Sequence, residues 1–270
     1  MKLGIAIVDY RSAADTEGLI RSIVDRRTDE AVEIAIVDNG ADDLAPAIEF
    51  ARANGVECTV ISGQGNVGYA AGNNLAAARL IANGATVIWV LNPDTRVVEG
   101  HLKALADVDG VASTCVQEKG RPGTGAISLW TGRSGARKGL TYVSGHSLVA
   151  SRTAWERLGG FSERFFLFFE EADLAVRCRA LGIAASSVPE IVVTHAGGSA
   201  TGATTDLRDK SPTAYFHASR SCVIFFRRHR PWRLPVVVAA RLGYAARVLR
   251  VAGTGGASAV LRGVIAGLRA

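Results

Sequence analysis

The first hundred residues alternate short apolar segments with segments of helical periodicity, and this pattern constrains the fold more than any other feature of the chain. Strands that alternate with helices form a parallel sheet covered on both faces. Gly55 and Gly84 stand where two helices should end, and Ser12 with Asp15 predicts a capping box that opens the first helix. The predicted strands are LGIAIV (3–8), VEIAIVD (32–38), VECTVI (56–61) and TVIWVL (86–91).

A polar segment follows each of these predicted strands. Loops are polar for ordinary reasons too, because Asp and Asn side chains form turns. Ligands of parallel sheets bind beyond the carboxyl ends of the strands, however, and four such loops converging at one edge predict a binding site there. The segments are Asp9-Tyr10-Arg11, Asp38–Asp43, GQGNVG (63–68) and Asn92-Pro93-Asp94.

The segment GQGNVG matches the dinucleotide-binding pattern G-x-G-x-x-G, but a single match is weak evidence. It lies on the third strand–helix unit, whereas the fingerprint belongs to the first, and no ribose-binding acid follows at the expected distance of about 20 residues. The sequence therefore argues against a nicotinamide or flavin site. The glycines can still let the chain turn tightly beside a ligand.

Asn92 and Asp94 are candidate ligands of a divalent cation, because Mg²⁺ and Mn²⁺ prefer oxygen ligands and the two residues stand two apart at a strand end. An Asn-Pro-Asp turn without a ligand is the alternative. His195 ends the segment VVTH, and a single His after a strand is more often structural. If Asp94 lies nearby, His195 becomes a candidate Mn²⁺ ligand.

The segment FFLFFEEADL (165–174) places Glu170, Glu171 and Asp173 in the first turn of a helix predicted to end at Gly182. The helix dipole alone favours acids at this position, by about 0.3–1 kcal/mol each. Three crowded carboxylates also repel one another, which can raise the pKa of one of them toward the range that a general base needs.

Beyond residue 100 the alternation weakens. We expect strands with Gly-rich turns in GVASTCV, AISLWTG and TYVSGHSLVAS, and a helix from Ser151 to Leu158 that ends at two glycines. IAASSV and EIVVTHA predict two short strands. Helical periodicity returns over 212–229, 234–252 and 256–269, with breaks at RHRPWRLP and GTGG.

The net charge of +6 is unevenly distributed along the chain. Residues 1–210 have a net charge of −4, whereas residues 211–270 contain ten arginines and no acid. On a helix over 233–252, a basic half of the wheel would face an apolar half. Such a helix can lie on an anionic membrane, pack on the catalytic domain or contact a second subunit in a homodimer. The basic half holds Arg233, Arg241, Arg247 and Arg250, and the apolar half holds Val238, Leu242, Ala245 and Leu249.

Composition excludes several other classes of protein. With 270 residues, 48% hydrophobic and 21% charged, the chain is typical of a soluble globular protein. The four cysteines form no CxxC pair, which argues against a zinc site and fits a reducing cytosol. The amino-terminal segment predicts a strand and not a signal peptide. The C-terminal arginines do not alternate with aromatic residues in the regular way that a base-stacking surface needs, so we expect no nucleic-acid partner.

Together these segments resemble the family 2 glycosyltransferases of the GT-A fold, and within them the rhamnosyltransferase-like branch. The resemblance covers roughly residues 3 to 230 in order. Its motifs are individually modest and collectively specific. They are IVDYRS, IVDNGADD, GNVGYAAGNN, VLNPDTRV, SGHSLVASRTAWERLGGFSERFFLFFEEADLAVRCRALG and VTHAGGS.

The resemblance implies a role for each candidate residue. Asp94 and His195 would hold Mn²⁺ or Mg²⁺ on the donor diphosphate, and Asn92 stands in the same Asp-x-Asp-like motif. Glu171 would be the catalytic base, although the family usually has Asp there. The other residues implied to bind substrate are Tyr10, Arg11, Asp38, Asn66, Gly68, Asn74, Glu170 and Asp173.

We therefore expect an α/β protein with a GT-A type nucleotide-binding mixed sheet flanked by helices and a C-terminal helical extension. The domains would be residues 1–230 and a basic extension over 231–270. The expected reaction is inverting transfer of a sugar, with rhamnose as the first candidate, from a dTDP or UDP donor to an acceptor hydroxyl. A non-catalytic nucleotide-sugar or glycan binder and a nucleotidyltransferase are the alternatives. The expected location is the cytoplasm, with the inner face of the membrane as a second candidate.

Overall fold

The computed structural model describes residues 1–136, 138–196 and 206–270, so the end of the VTHAGGS motif lies outside the described residues. The strands are β1 (Lys2–Asp9), β2 (Ala31–Asp38), β3 (Glu57–Ile61), β4 (Val87–Leu91), β5 (Thr95–Glu99), β6 (Val111–Val116), β7 (Arg121–Pro122), β8 (Thr124–Ile127), β9 (Leu140–Val143), β10 (Ser147–Ser151) and β11 (Ala185–His195). The helices are α1 (Ala13–Val24), α2 (Ala45–Ala53), α3 (Gly68–Ala82), α4 (Arg152–Leu158), α5 (Glu170–Leu181), α6 (Pro212–His229) and α7 (Leu234–Arg269).

The central sheet is mixed, with strand order β3-β2-β1-β4-β10-β6-β11-β5. Strands β1 to β4 are parallel to one another, as the alternation of strands and helices predicts. Strand β10 runs antiparallel between β4 and β6, and this reversal joins the parallel half to the second half of the sheet. The fold class expected from the sequence is confirmed.

Helices cover both faces of the sheet, and each face buries its own apolar cluster. One cluster joins Leu19 and Ile23 of α1 to Ile5 and Trp89 of the sheet. The other joins Leu80 of α3 to the opposite face of the same strands, together with α4 and α5. The strands read as near-continuous apolar runs because both faces of the sheet are buried. This arrangement leaves the carboxyl ends of the strands as the open edge.

Two local predictions are wrong. The segment 185–195 is one strand with an irregularity between Val188 and Val192, and not two short strands, because β6 pairs with it both before and after the bulge. Ser12 occupies the N-cap position of α1 but makes no side-chain cap. Its hydroxyl donates instead to the buried carboxylate of Asp9.

The C-terminal helices form a packed hairpin. Helix α7 is interrupted at Gly253, whose φ of 76° lies outside the helical region, within the predicted break at GTGG. We call residues 234–252 the first arm and residues 254–269 the second arm. The second arm packs so closely against α6 that a Cβ added at Gly263 or Gly267 would clash with the α6 backbone.

The apolar half of the first arm is only partly covered by the protein. Ala245 is buried, and Val237 and Val248 are the other buried residues of that arm. Leu242 and Leu249 are about half exposed. The helical wheel does not identify which apolar side chains contact α6, because apolar residues cover a wider sector of the first arm than the sector that packs on α6.

Candidate active site

The carboxyl ends of β1 and β2 bring the first two polar loops together. Asp9 and Asp38 are paired across these parallel strands. The Oδ1 atom of Asp38 accepts hydrogen bonds from the amides of Gly40, Ala41 and Asp42 at 2.7–3.3 Å, so the carboxylate is held by its own loop. Tyr10 and Arg11 lie beside this loop, with the guanidinium carbon of Arg11 5.4 Å from the Tyr10 ring centroid.

Backbone strain marks both sides of this edge. Within the described ranges, the non-glycine residues with positive φ are Arg11 and Ala41 in these loops and Phe168 and Phe169 directly before α5. Such conformations cost about 1–3 kcal/mol each and cluster at functional sites. Their grouping therefore indicates that the ends of β1 and β2 and the start of α5 form one functional region.

The GQGNVG loop joins the two sides of the region. Asn66, which is exposed, accepts a hydrogen bond from the amide of Gly68 at 3.0 Å. Gly68 has a φ of 85°, and a Cβ there would lie 2.5 Å from the carbonyl oxygen of Phe166. The amide of Tyr69 donates to that same carbonyl at 2.7 Å. The glycine is therefore needed so that the segment before α5 can pack on the start of α3.

The Asp94 and His195 side chains meet, as a shared metal site requires. Asp94 Oδ1 lies 3.2 Å from His195 Nε2, and Asn92 Nδ2 lies 3.4 Å from the same nitrogen. In the described parts of the chain, no group of three or more His, Cys, Asp or Glu side chains is arranged to hold a metal by itself. One carboxylate and one imidazole nevertheless suit Mn²⁺ or Mg²⁺, provided that diphosphate oxygens and water complete the coordination.

Glu170 and Glu171 begin α5 in different environments. Glu171 is partly exposed, and its Oε1 accepts a hydrogen bond from the amide of Gly145 at 3.0 Å. Glu170 is only 3% exposed, and its Oε2 has no hydrogen-bond partner among the residues that the structure describes. Burial raises the pKa of Glu170 well above its ordinary value, and the neighbouring Glu171 charge raises it further. Burial also raises the pKa of Glu171. Glu171 is therefore the more accessible of the two carboxyl groups and the candidate base.

The structure places Asp173 in a buried ionic network. Its side chain is fully buried, with Oδ2 2.7 Å from Arg177 Nε and Oδ1 2.7 Å from His229 Nε2 and 3.7 Å from Arg228 Nε. Burial alone would raise the pKa of Asp173, but the His229 hydrogen bond and the two arginines lower it below its ordinary value. The carboxylate connects α5 to the end of α6, away from solvent.

Asn74 is likewise occupied by protein groups. Its side chain exchanges two 2.9 Å hydrogen bonds with the backbone of Phe161 and donates a third to Glu163 at 3.0 Å. These contacts hold the Gly-Gly-Phe turn that follows α4. Its implied role toward the donor stays a prediction.

The turn at residues 144–146 connects the metal-binding candidates to the candidate base. The amide of Gly145 binds Glu171, and its carbonyl accepts a 2.7 Å hydrogen bond from the Tyr69 hydroxyl. The next residue, His146, stacks on His195 with ring centroids 4.6 Å apart, and its carbonyl accepts from the Asn92 amide at 3.2 Å. One dipeptide therefore contacts both halves of the site.

Sequence reasoning missed Tyr69, Gly145 and His146. The segment TYVSGHSLVAS was predicted as strand with a Gly-rich turn, and it forms β9, the turn and β10, but the contacts of the turn were not predicted. The Ser-Gly-His sequence inside an otherwise apolar pattern was the available signal, since Gly inside a strand pattern often marks a bend or a close approach. A side chain on Gly145 would lie 2.7 Å from the Tyr69 hydroxyl oxygen.

Comparison with known proteins agrees with this geometry. The family model described as glycosyl transferase family 2 matches residues 5–113. N-acetylglucosaminyl-diphospho-decaprenol L-rhamnosyltransferase of Mycobacterium tuberculosis is 25% identical, over 85% of this chain and 86% of that protein. The low-salt glycan biosynthesis hexosyltransferase Agl10 of Haloferax volcanii is 24% identical, over 66% of this chain and 61% of that protein.

Solved structures share the fold. The mannosyltransferase PcManGT from Pyrobaculum calidifontis, in complex with GDP-Man and Mn²⁺, has a TM-score of 0.56 at 15% identity, covering 99% of this chain and 87% of that one. TarS residues 1–349 from S. aureus, in complex with UDP-GlcNAc, has a TM-score of 0.54 at 13% identity, covering 99% and 91%. Residues 5–113 thus match the glycosyl transferase family 2 model, the chain has the GT-A fold of the solved glycosyltransferases, and it is similar to a rhamnosyltransferase over most of its length.

Proposed function

We propose that this enzyme transfers L-rhamnose, with inversion, from a dTDP or UDP donor to a hydroxyl of a sugar linked through diphosphate to a polyprenol. The donor sugar and the acceptor class come from the mycobacterial relative, whose name states both. The observation that carries the proposal is the turn at 144–146, which holds the base candidate Glu171 on one side and stacks on the metal-ligand candidate His195 on the other. Sugar transfer requires the base and the metal site to lie near the same anomeric carbon.

The donor side binds the nucleotide and its diphosphate. Asp38, with Tyr10 and Arg11, is placed at the carboxyl ends of β1 and β2, where nucleotides bind on such sheets. Asn66 and Gly68 form the loop beside it. Asp94 and His195 would hold Mn²⁺ or Mg²⁺ against the diphosphate. When bound, the cation offsets the negative charge that develops on the departing nucleoside diphosphate.

The acceptor side removes a proton. Glu171 accepts the Gly145 amide at Oε1, which orients the carboxylate. The carboxylate takes the proton of the acceptor hydroxyl while the hydroxyl oxygen forms a bond to the anomeric carbon and the bond to the diphosphate oxygen breaks on the opposite face. The electron pair of that bond leaves with the nucleoside diphosphate, and the sugar configuration inverts. We assign Asp173 and Asn74 to positioning this side, because protein groups already occupy their polar atoms.

A donor panel tests the proposal. The enzyme is incubated with dTDP-rhamnose, UDP-GlcNAc, UDP-glucose or GDP-mannose, with Mn²⁺ or with EDTA, and nucleoside diphosphate release is measured on a short-chain diphosphate-linked acceptor. We expect turnover with dTDP-rhamnose, loss of turnover in EDTA and an inverted linkage by NMR. Turnover that persists in EDTA would remove the metal dependence, and a retained configuration would remove the base mechanism.

Metal binding has a separate readout. Electron paramagnetic resonance of Mn²⁺ with nucleoside diphosphate should show a ternary complex that Asp94→Asn weakens by roughly tenfold or more. Asp43→Asn is the matched control, because Asp43 is an exposed aspartate in a loop of the same sheet edge. Equal Mn²⁺ affinity of the Asp94→Asn variant and the wild type would contradict the assigned ligand.

A further inference from the structure

The C-terminal hairpin leaves an unusual amount of apolar surface exposed. Of the twelve exposed large hydrophobic side chains in the described residues, eight lie within residues 232–268. On the first arm, Leu242 and Leu249 are 50% and 49% exposed, and on the second arm Leu261, Ile265 and Leu268 are 39–49% exposed. Spacings of three, four and seven residues place each set on one stripe of its arm.

Arginines flank both stripes. Arg250, Arg262 and Arg269 each follow an exposed leucine directly, and all three are exposed. Residues 211–270 contain ten arginines and no acid. Two copies of this surface would bring like charges together, which disfavours self-association through the stripes. An anionic surface is the complementary partner.

Two exposed tryptophans extend this surface. Trp232 precedes the first arm and is 66% exposed, and Trp130, in the turn after β8, is 58% exposed. The guanidinium carbon of Arg233 lies 3.2 Å from the Trp130 ring centroid, so the hairpin and the β8 turn are adjacent. Tryptophan favours the interface between water and the bilayer, where its ring meets apolar chains and its N–H stays hydrated. The sequence did not show that Trp130 joins the C-terminal arginines.

The hairpin suits the surface of a bilayer better than its interior. The segment Pro231–Arg269 is long and apolar enough to span a membrane by composition, with a mean hydropathy of 1.3 in its best window. However, Gly253 divides it, and the second arm of about 16 residues would reach only about 24 Å at 1.5 Å per residue, less than the roughly 30 Å hydrocarbon core. The first arm also has three arginines inside it.

We infer that Trp130, Trp232 and the two stripes form a docking surface for an anionic phospholipid bilayer. The inference deepens the proposed function and rests on it for the lipid-linked acceptor. Shallow insertion of the leucines and tryptophans would bury apolar area, while the arginines bind headgroup phosphates. The β8–β9 region that carries Trp130 also packs on α5, whose first turn contains Glu171, so docking would bring the bilayer to the acceptor side of the enzyme.

Vesicle sedimentation of the full chain, without donor, tests the inference. We expect the wild type to pellet with phosphatidylglycerol-containing vesicles at low salt, and several-fold less with phosphatidylcholine vesicles or at high salt. Leu242→Ser with Leu249→Ser should lose most of this binding, whereas Leu75→Ser with Leu181→Ser, at leucines that are 39% and 44% exposed elsewhere, should not. Arg262→Glu with Arg269→Glu should also lose binding, with Arg79→Glu and Arg179→Glu as exposed controls.

The outcomes separate the two proposals. Equal recovery of the wild type and the stripe variants in the supernatant with all vesicles would overturn the docking surface. So would a wild-type dimer in sedimentation velocity that the Leu242→Ser and Leu249→Ser changes dissociate. Nucleoside diphosphate release on a water-soluble acceptor should be the same for the wild type and the stripe variants. Vesicle binding without turnover on any donor would reject the proposed reaction and leave the docking surface standing.

Discussion

We call the proposed nucleotide-binding loops at the carboxyl ends of the strands the donor edge, and the start of α5 the acceptor edge. These two regions hold their polar side chains by different means. At the donor edge, Asp38 and Asn66 accept hydrogen bonds from amides two to four residues further along the same loop. At the acceptor edge, Glu171 is held by an amide 26 residues away, and Asp173 by a histidine 56 residues away. The loops after β2 and β3 at the donor edge are therefore built locally, whereas the acceptor edge depends on tertiary packing.

This difference separates the tasks of the two edges. Loops that satisfy their own turns can present groups to a nucleotide without burying charge. A base needs a raised pKa, and burial against other elements raises the pKa of the proposed base, Glu171. We therefore expect changes at the acceptor edge to have larger effects on rate and stability than changes at the donor edge.

The largest effect should follow from Glu171→Gln, which keeps the shape and removes the proton acceptor. We expect transfer to fall by roughly 10²–10⁴-fold, while donor affinity, measured by calorimetry, stays within a few-fold. Glu49→Gln, at an exposed glutamate of α2, is the control and should transfer normally. Normal transfer by the Glu171→Gln variant would show that the base lies elsewhere.

The same residue predicts a pH profile. A base must be ionised, so the transfer rate should fall as pH falls through the pKa of Glu171. Because burial raises that pKa above its ordinary value of 4.5, the acidic limb of kcat/KM should lie above 4.5. A flat profile down to pH 4.5 in a protein that stays folded would contradict the assignment.

Asp173→Asn should cause the largest loss of stability. The change leaves Arg177 and the nearby basic groups of α6 without their buried counter-charge, which costs about 3 kcal/mol of unfolding free energy in comparable networks. Glu156→Gln breaks a second ion pair with an arginine four residues away, but that carboxylate is 48% exposed. It should cost less than about 1 kcal/mol in the same urea titration.

The Asp173 pair also has a defined pH window. Its folded pKa is lowered, so its stabilising contribution is fully present above the ordinary value of 3.8 and is lost as pH falls through the folded value. The difference in unfolding free energy between wild type and Asp173→Asn should therefore be constant from pH 5 to 7 and shrink below pH 4. A difference that is small at neutral pH would show that the network contributes no net stability.

Gly145→Ala should have an intermediate effect, confined to the rate. The added Cβ would lie 2.7 Å from the Tyr69 hydroxyl oxygen and 2.9 Å from Glu171 Oε1, so the base must move. We expect kcat to fall by roughly tenfold with little change in donor affinity. Gly243→Ala, on the first arm with no atom within 4 Å of the new Cβ, should leave kcat unchanged. Equal kcat values for the two variants would mean that the turn does not position the base.

The smallest effect should come from the donor edge, at Asp9. Burial and the nearby Asp42 raise the pKa of Asp9 to about 6. Because the folded state binds this proton more tightly than the unfolded chain, wild-type stability should decrease as pH rises from about 4 to about 6. Asp9→Asn removes this decrease in unfolding free energy, which is on the order of 1 kcal/mol. The melting temperature of the variant minus that of the wild type should therefore be larger at pH 7.5 than at pH 4.

The contrast between the edges also explains what could be predicted from the sequence. The strands β1 to β4, their polar loops and the ends of α2 and α3 follow from local patterns, and they were predicted. The meeting of Asp94 with His195 could be anticipated from strand ends and from the family resemblance. Tyr69, Gly145 and His146 could not, because their roles arise only when α3, the 144–146 turn and β11 pack together. The burial of Asp173 by α6 was hidden for the same reason.

The 144–146 turn has a consequence for how this enzyme can change over time. Gly145 and His146 are neighbours on the chain, and Gly145 contacts the proposed base while His146 stacks on the metal-ligand candidate. A substitution that shifts either residue therefore reaches both substrates. Mutations at Glu171 and His195 should therefore be strongly epistatic, because this dipeptide contacts both residues. A new donor or acceptor specificity would be reached more readily by changes outside the dipeptide, in the loops whose side chains are held by their own backbone amides.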